Sequence, residues 1–195
     1  DAGSFTLVST SAARFGRGTQ CVTFTAASGG TLNLYGRIYI VALGIEVEEG
    51  GTLNLDPVCF LTDGGFNPDQ KMERIVNRGT WNMPHGITFG GTGGGGKAVF
   101  HICQAAGTLN LGGSVNKASG WSEYEFIFEG GTINATDDAA FSSALQTVAM
   151  TNGANGTVSV ASGKTLDLTA MTFSGTTSLE KTGPGTLRLA NVPTS

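Results

Sequence analysis

Charge is scarce in this 195-residue chain. Charged residues make up 13%, about half the usual quarter. Eleven basic residues against 15 acidic ones leave a formal net charge of −4. No Lys/Arg cluster occurs, which argues against a nucleic-acid binder, and no nucleic acid is expected as a partner. Proline numbers only 5, and the 31 glycines keep no period of three, which excludes collagen. Long apolar runs are also missing. A stretch such as Ile38-Tyr39-Ile40-Val41-Ala42-Leu43 is too short for a transmembrane helix, so no membrane span is expected. The small net charge and frequent aliphatic residues argue against disorder. The chain opens at Asp1 without Met or an apolar leader, as expected of a mature or trimmed product whose export signal has been removed.

Cysteine is sparse too. Cys21, Cys59 and Cys103 form no C-x-x-C pair, so no zinc site is expected. Each sits among apolar or β-branched residues, where a cysteine reads as a small buried hydrophobe. A Cys21–Cys59 or Cys59–Cys103 disulfide is the alternative.

What the chain has in abundance is one repeated unit: Gly, Thr, apolar, polar, apolar. It reads Gly30-Thr31-Leu32-Asn33-Leu34, and GTLNL returns unchanged from Gly51 and from Gly107. Looser copies begin at Gly79, Gly131, Gly156 and Gly185, with a satellite over Gly163-Lys164-Thr165-Leu166-Asp167-Leu168. The starts are 21, 28, 28, 24, 25 and 29 residues apart. Alternation of apolar and polar residues is the period of a half-buried strand. A strand-built repeat of 20–30 residues implies stacked coils. Further strands are read at 37–41, 45–48, 58–61, 87–89, 99–103 and 124–128. Gly-Gly and Asn-Gly corners at 50–51, 130–131, 152–153 and 155–156 supply left-handed turns.

The expected fold is therefore all-β: a single-stranded right-handed parallel β-helix, a solenoid of about six or seven coils. One domain spans 1–195, with 1–29 as an N-terminal coil or cap, 30–189 as repeats and 190–195 as a tail. Leu32, Leu53, Trp81, Leu109, Ile133 and Val158 should form one inward column. Leu34, Leu55, Met83, Leu111, Ala135 and Val160 should form a second. Two segments depart from the plan. Asp137–Met150 reads as a short helix near 138–150, with Asp137 as N-cap and Phe141, Ala144, Leu145 and Val148 on one face. Phe66–Arg78 reads as a long loop feeding the third strand of its coil, with a helix-start or turn signal at Asn67-Pro68-Asp69 before Met72–Val76.

Over Leu179-Glu180-Lys181-Thr182-Gly183-Pro184-Gly185-Thr186-Leu187-Arg188-Leu189 the sequence resembles the autotransporter-associated β-strand repeat, and the other Gly-Thr-Leu-x-Leu units look like degenerate relatives. The resemblance implies a secreted bacterial passenger region, similar in architecture to pectin lyases, with adhesive or structural roles and an extracellular or cell-surface location. Its motif is architectural and brings no catalytic residues. Within these 195 residues no outer-membrane barrel pattern is read, a departure from that family.

Candidate chemistry is thin. Gly91–Lys97 fits G-x-x-x-x-G-K, but Ala98 and a strand follow instead of Ser/Thr and a helix. Asp137-Asp138 is a paired carboxylate with a fold-level link to glycoside hydrolysis, yet aspartates at helix starts are commonplace. Asp56, Asp63 and Asp69 lie close in sequence on a loop-rich stretch, as candidates to line a carbohydrate cleft or a calcium site, though no Asp-x-Asp-x-Asp-Gly calcium loop occurs. His85 and His101 lack a nucleophile at recognisable spacing. No cofactor, metal or catalytic residue is assigned.

The distinctive feature is a ladder. Thr31, Asn33, Thr52, Asn54, Thr80, Asn82, Thr108, Asn110, Thr132 and Asn134 should face outward on one sheet, coil above coil. Stacked Asn and Thr can simply bond to one another, or they can form a regular surface for a glycan or ice. Three functions follow: a non-enzymatic structural or adhesive module of a bacterial secreted or surface protein; a polysaccharide-degrading enzyme of pectin-lyase-like architecture; and glycan or ice binding on the ladder. Expected partners are a glycan or other surface polymer and, at an open C-terminal β edge, further copies stacked end to end or as a homo-oligomer.

Overall fold

The computed structural model describes residues 3–15, 22–40, 43–55, 60–62, 72–89, 99–117, 123–143, 145 and 147–191. Every strand pairing among them is parallel. Strands far apart in sequence are neighbours in space, which is the signature of a β-solenoid. Each coil contributes a strand to three successive faces. The first face stacks 4–7, 31–34, 52–55, 80–83, 108–111, 132–135 and 157–160 in continuous register, apolar on apolar and Thr on Thr, with Ser4 in place of Thr at the first rung. These seven rungs agree with the six or seven coils expected. Ser178–Thr182 then pairs with 155–159 and begins another coil.

The repeat produces this register through its alternation. Leu32, Leu53, Trp81, Leu109, Ile133 and Val158 are at most 3% exposed, and Leu34, Leu55, Met83, Leu111, Ala135 and Val160 at most 1%. Both predicted columns therefore form the interior. The third face adds Ile45, Val47, Ile75, Ile102, Phe126, Phe128, Val148 and Met150 to the same core. A slip by one residue would turn every one of these side chains to solvent, so burial fixes the register.

The glycine preceding each Thr has its own physical reason. Coils approach so closely at this corner that a Cβ on Gly51 would stand 2.0 Å from the Ala26 carbonyl oxygen, and one on Gly107 would stand 2.1 Å from that of Gly79. The approach lets the Thr80 amide donate to Gly51 O at 2.9 Å and the Thr108 amide to Gly79 O at 2.7 Å. Backbone groups at the corner are thus satisfied between coils, and a side chain would break that pairing.

Three expectations are corrected or refined. The short helix near 138–150 is absent, and no helix occurs among the described residues. Ala139–Ala140 pairs with Leu166-Asp167, Phe141 bridges Val115, and 147–150 pairs with 125–128. Phe141, Leu145 and Val148 are buried as expected of one apolar face. They reach the interior from successive solenoid faces, and that spacing imitates a helical period. Asp137 accordingly caps no helix. The last repeat copy also changes place: Thr186–Arg188 pairs with Thr165–Asp167 on the second face, so the satellite and the terminal unit make a separate short stack. Finally, Met72–Asn77 is a strand of the third face, whereas Asn67-Pro68-Asp69 lies outside the described residues.

Candidate functional site

The first face carries the predicted ladder. Thr31, Thr52, Thr80, Thr108 and Thr132 stack in register and are half-buried, as are Asn33, Asn54, Asn82, Asn110 and Asn134. The asparagines are joined into a single rail. Asn54 Nδ2 donates to Asn33 Oδ1, Asn82 Nδ2 to Asn54 Oδ1, and Asn110 Nδ2 to Asn82 Oδ1, each at 2.7 Å. Asn134 Nδ2 donates to Asn110 Oδ1 at 3.0 Å. Every amide donates toward the preceding coil, so their dipoles align and reinforce one another. At its start Asn33 Nδ2 reaches Ser4 Oγ at 3.2 Å and Thr6 Oγ1 at 3.1 Å. The rail stops where Ser159 takes the place of asparagine opposite Asn134.

Beside the rail runs a groove of about 550 Å³. Asn54, Asn82 and Asn110 of the rail line it, together with Tyr35, Pro84 and His85. The Tyr35 hydroxyl donates to Asn33 Oδ1 at 3.4 Å. Pro84 and His85 are exposed. The ledge they form rests on the next coil, where Gly112 N donates to Met83 O at 2.9 Å and a Cβ on Gly112 would stand 2.1 Å from Pro84 O.

The paired carboxylates are committed elsewhere. Asp137 Oδ1 accepts from Lys164 Nζ at 2.6 Å and from the Asp138 amide at 2.8 Å, and Asp138 Oδ1 accepts from the Thr165 amide at 2.7 Å. Both thus tie the 136–138 corner to the following coil. The Lys164 hydrogen bond, helped by the Asp138 amide and the ammonium charge, holds the Asp137 carboxyl below the ordinary aspartate value. Hydrogen bonds from the Thr169 hydroxyl and amide do the same for Asp167.

Sequence reasoning missed the groove margin and a buried polar pair. Asn77 and Gln104 are at most 1% exposed. Asn77 Nδ2 donates to Gln104 Oε1 at 2.7 Å and to Thr108 O at 3.1 Å, and Gln104 Nε2 donates to Ala106 O at 2.7 Å. They occupy a register position held by Val47 and Phe128 in flanking coils. A polar residue in an otherwise apolar column was the available signal. Cys103 is half-buried rather than buried, whereas Cys21 and Cys59 lie outside the described residues. So do Asp56, Asp63, Asp69 and the 91–97 glycine run. His101 lies in the strand Val99–Gln104. Among the described residues no group of three or more His, Cys, Asp or Glu is placed to hold a metal. No helix among them is long and apolar enough to cross a membrane. Neither a family model, nor a curated protein, nor a solved structure matches this chain, so its own geometry carries the functional reading.

Proposed function

We propose that the chain is a non-enzymatic structural or adhesive module of a secreted or cell-surface bacterial protein. The observation that carries this reading is the amide rail: one repeated polar face holds a constant register across coils of unequal length. Uneven coils absorb sequence variation at the corners, whereas the first face stays regular, which suits an extended scaffold that displays or spaces a surface. The carboxylate pair, the sequence's best claim to acid–base chemistry, supports the same reading. One oxygen of each is engaged in a coil-to-coil contact, Asp137 with Lys164 and Asp138 with Thr165, an arrangement unlike two carboxyls facing each other across a cleft.

The test combines two measurements on the purified chain. Beads coated with it should be retained on host-cell or polysaccharide surfaces, and polygalacturonate and host glycans should remain uncleaved on prolonged incubation. Turnover of any of these polymers would overturn the proposal in favour of a pectin-lyase-like enzyme.

A further inference from the structure

The groove beside the rail has the chemistry of a saccharide site, and its shape favours a chain over a small molecule. It extends from the coil of Tyr35 to the coil of Thr136. That is four coil steps, or about 19 Å at the roughly 4.8 Å spacing of paired strands. Small-molecule pockets are concave and enclose most of their ligand, whereas this groove is lined in turn by residues of successive coils.

Its polar side is built for hydroxyl pairs. A primary amide has two N–H donors and two acceptor lone pairs. In Asn54, Asn82 and Asn110 the rail uses one donor and one lone pair each. Each therefore keeps one donor and one acceptor on a rigid mount, and adjacent sugar hydroxyls offer the complementary set. The same lining supplies apolar surface for the C–H face of a sugar ring, from the Tyr35 ring, itself tethered to Asn33, and from the exposed Pro84 ring. Among the described lining residues there is no carboxylate, lysine or arginine, and His85 is the one side chain able to take a positive charge, so that lining offers a charged sugar no fixed countercharge and favours a neutral one.

We propose that this groove binds a linear neutral glycan lengthwise, with Asn54, Asn82 and Asn110 reading hydroxyl pairs and Tyr35 and Pro84 covering ring faces. The inference rests on the adhesive reading above and gives it a ligand class.

Calorimetric titration of the full chain tests it, using neutral hexasaccharides of β-glucan, mannan and xylan, with a galacturonan hexamer as the charged counterpart. One or more neutral hexamers should bind and shift the side-chain amide resonances of Asn54, Asn82 and Asn110. Tyr35→Ala should weaken binding by about tenfold or more, and Tyr35→Phe by no more than about threefold. If Tyr35→Ala fails to fold, Pro84→Ser on the exposed ledge replaces it, with a weaker affinity again expected. The proposal is overturned if no neutral hexamer binds, if only the galacturonan binds, or if the variants bind like the parent without amide shifts. Bead adhesion that persists in Tyr35→Ala removes the groove as the adhesive site and leaves the adhesive module standing. Glycan binding without bead adhesion does the reverse.

Discussion

Asn82 donates its side-chain amide to Asn54 Oδ1 at 2.7 Å across 28 residues of sequence, and it accepts an equal bond from Asn110. One half-buried side chain therefore holds three coils in line. Removing it strands a donor on Asn110 and an acceptor on Asn54.

Replacing Asn82 discriminates between its two roles. Asn82→Leu should lower stability by about 1–3 kcal/mol, the cost of leaving partly buried polar partners unpaired, measured by denaturant unfolding. Asn82→Asp should be informative in another way. The new carboxylate accepts from Asn110 but opposes the Asn54 oxygen, and only its protonated form can donate there. Its folded pKa should thus rise above the unfolded value of about 3.9. The stability of this variant should be highest below the unfolded pKa and fall as pH increases toward the folded one. A variant whose stability relative to the parent is independent of pH would show that the rail's direction does not matter.

The glycines separate crowding from backbone conformation. A Cβ at Gly51 meets the Ala26 carbonyl at 2.0 Å, whereas at Gly163, with φ of +70°, it meets nothing within 4 Å. Gly163→Ala should therefore cost only the left-handed penalty, about 1–2 kcal/mol. Gly51→Ala must push two coils apart and break corner hydrogen bonds, so its loss should be the larger. Equal midpoint shifts in thermal unfolding would contradict close coil approach as the reason for the Gly-Thr unit.

The interior was legible because alternation around Thr31–Leu34 and its copies has one physical solution, with Leu inside and Thr and Asn outside. The asparagines could be seen to stack, and their mutual bonding follows once register is fixed. The 137–150 segment misled because Phe141, Leu145 and Val148 approach one core from different faces, and spacing alone cannot distinguish that from a helical stripe. The groove was not legible for a related reason. Tyr35, within the strand Thr31–Ile40, and Pro84, in a turn, lie just past their repeat units, where the pattern has lapsed, and only stacking reveals that they border the same three asparagines.

The Asp137–Lys164 contact makes a pH prediction. The Lys164 hydrogen bond lowers the Asp137 pKa, so the contact's contribution is present above the unfolded value and is lost as pH falls through the folded one. Both groups are exposed, so the effect on global stability should be small. The sharper readout is the Asp137 carboxyl resonance, which should titrate below the usual aspartate range and return toward it in Lys164→Met. An unchanged titration would mean that the ammonium does not hold the carboxylate in solution.

The Asn77–Gln104 pair should behave as a unit. Each lies in an apolar column, and Asn77 Nδ2 donates to Gln104 Oε1 at 2.7 Å. Gln104→Leu removes the acceptor and leaves the buried Asn77 amide with only Thr108 O, a loss of about 1–3 kcal/mol. Asn77→Leu should cost a similar amount by stranding Gln104 Oε1. The double variant lets two apolar side chains meet where Val47 and Phe128 already flank the column. Its loss should fall clearly short of the sum of the single losses, by about 0.5–3 kcal/mol of coupling. Additive losses in a double-mutant cycle would show that the two amides act separately, each through its bonds to the corner backbone.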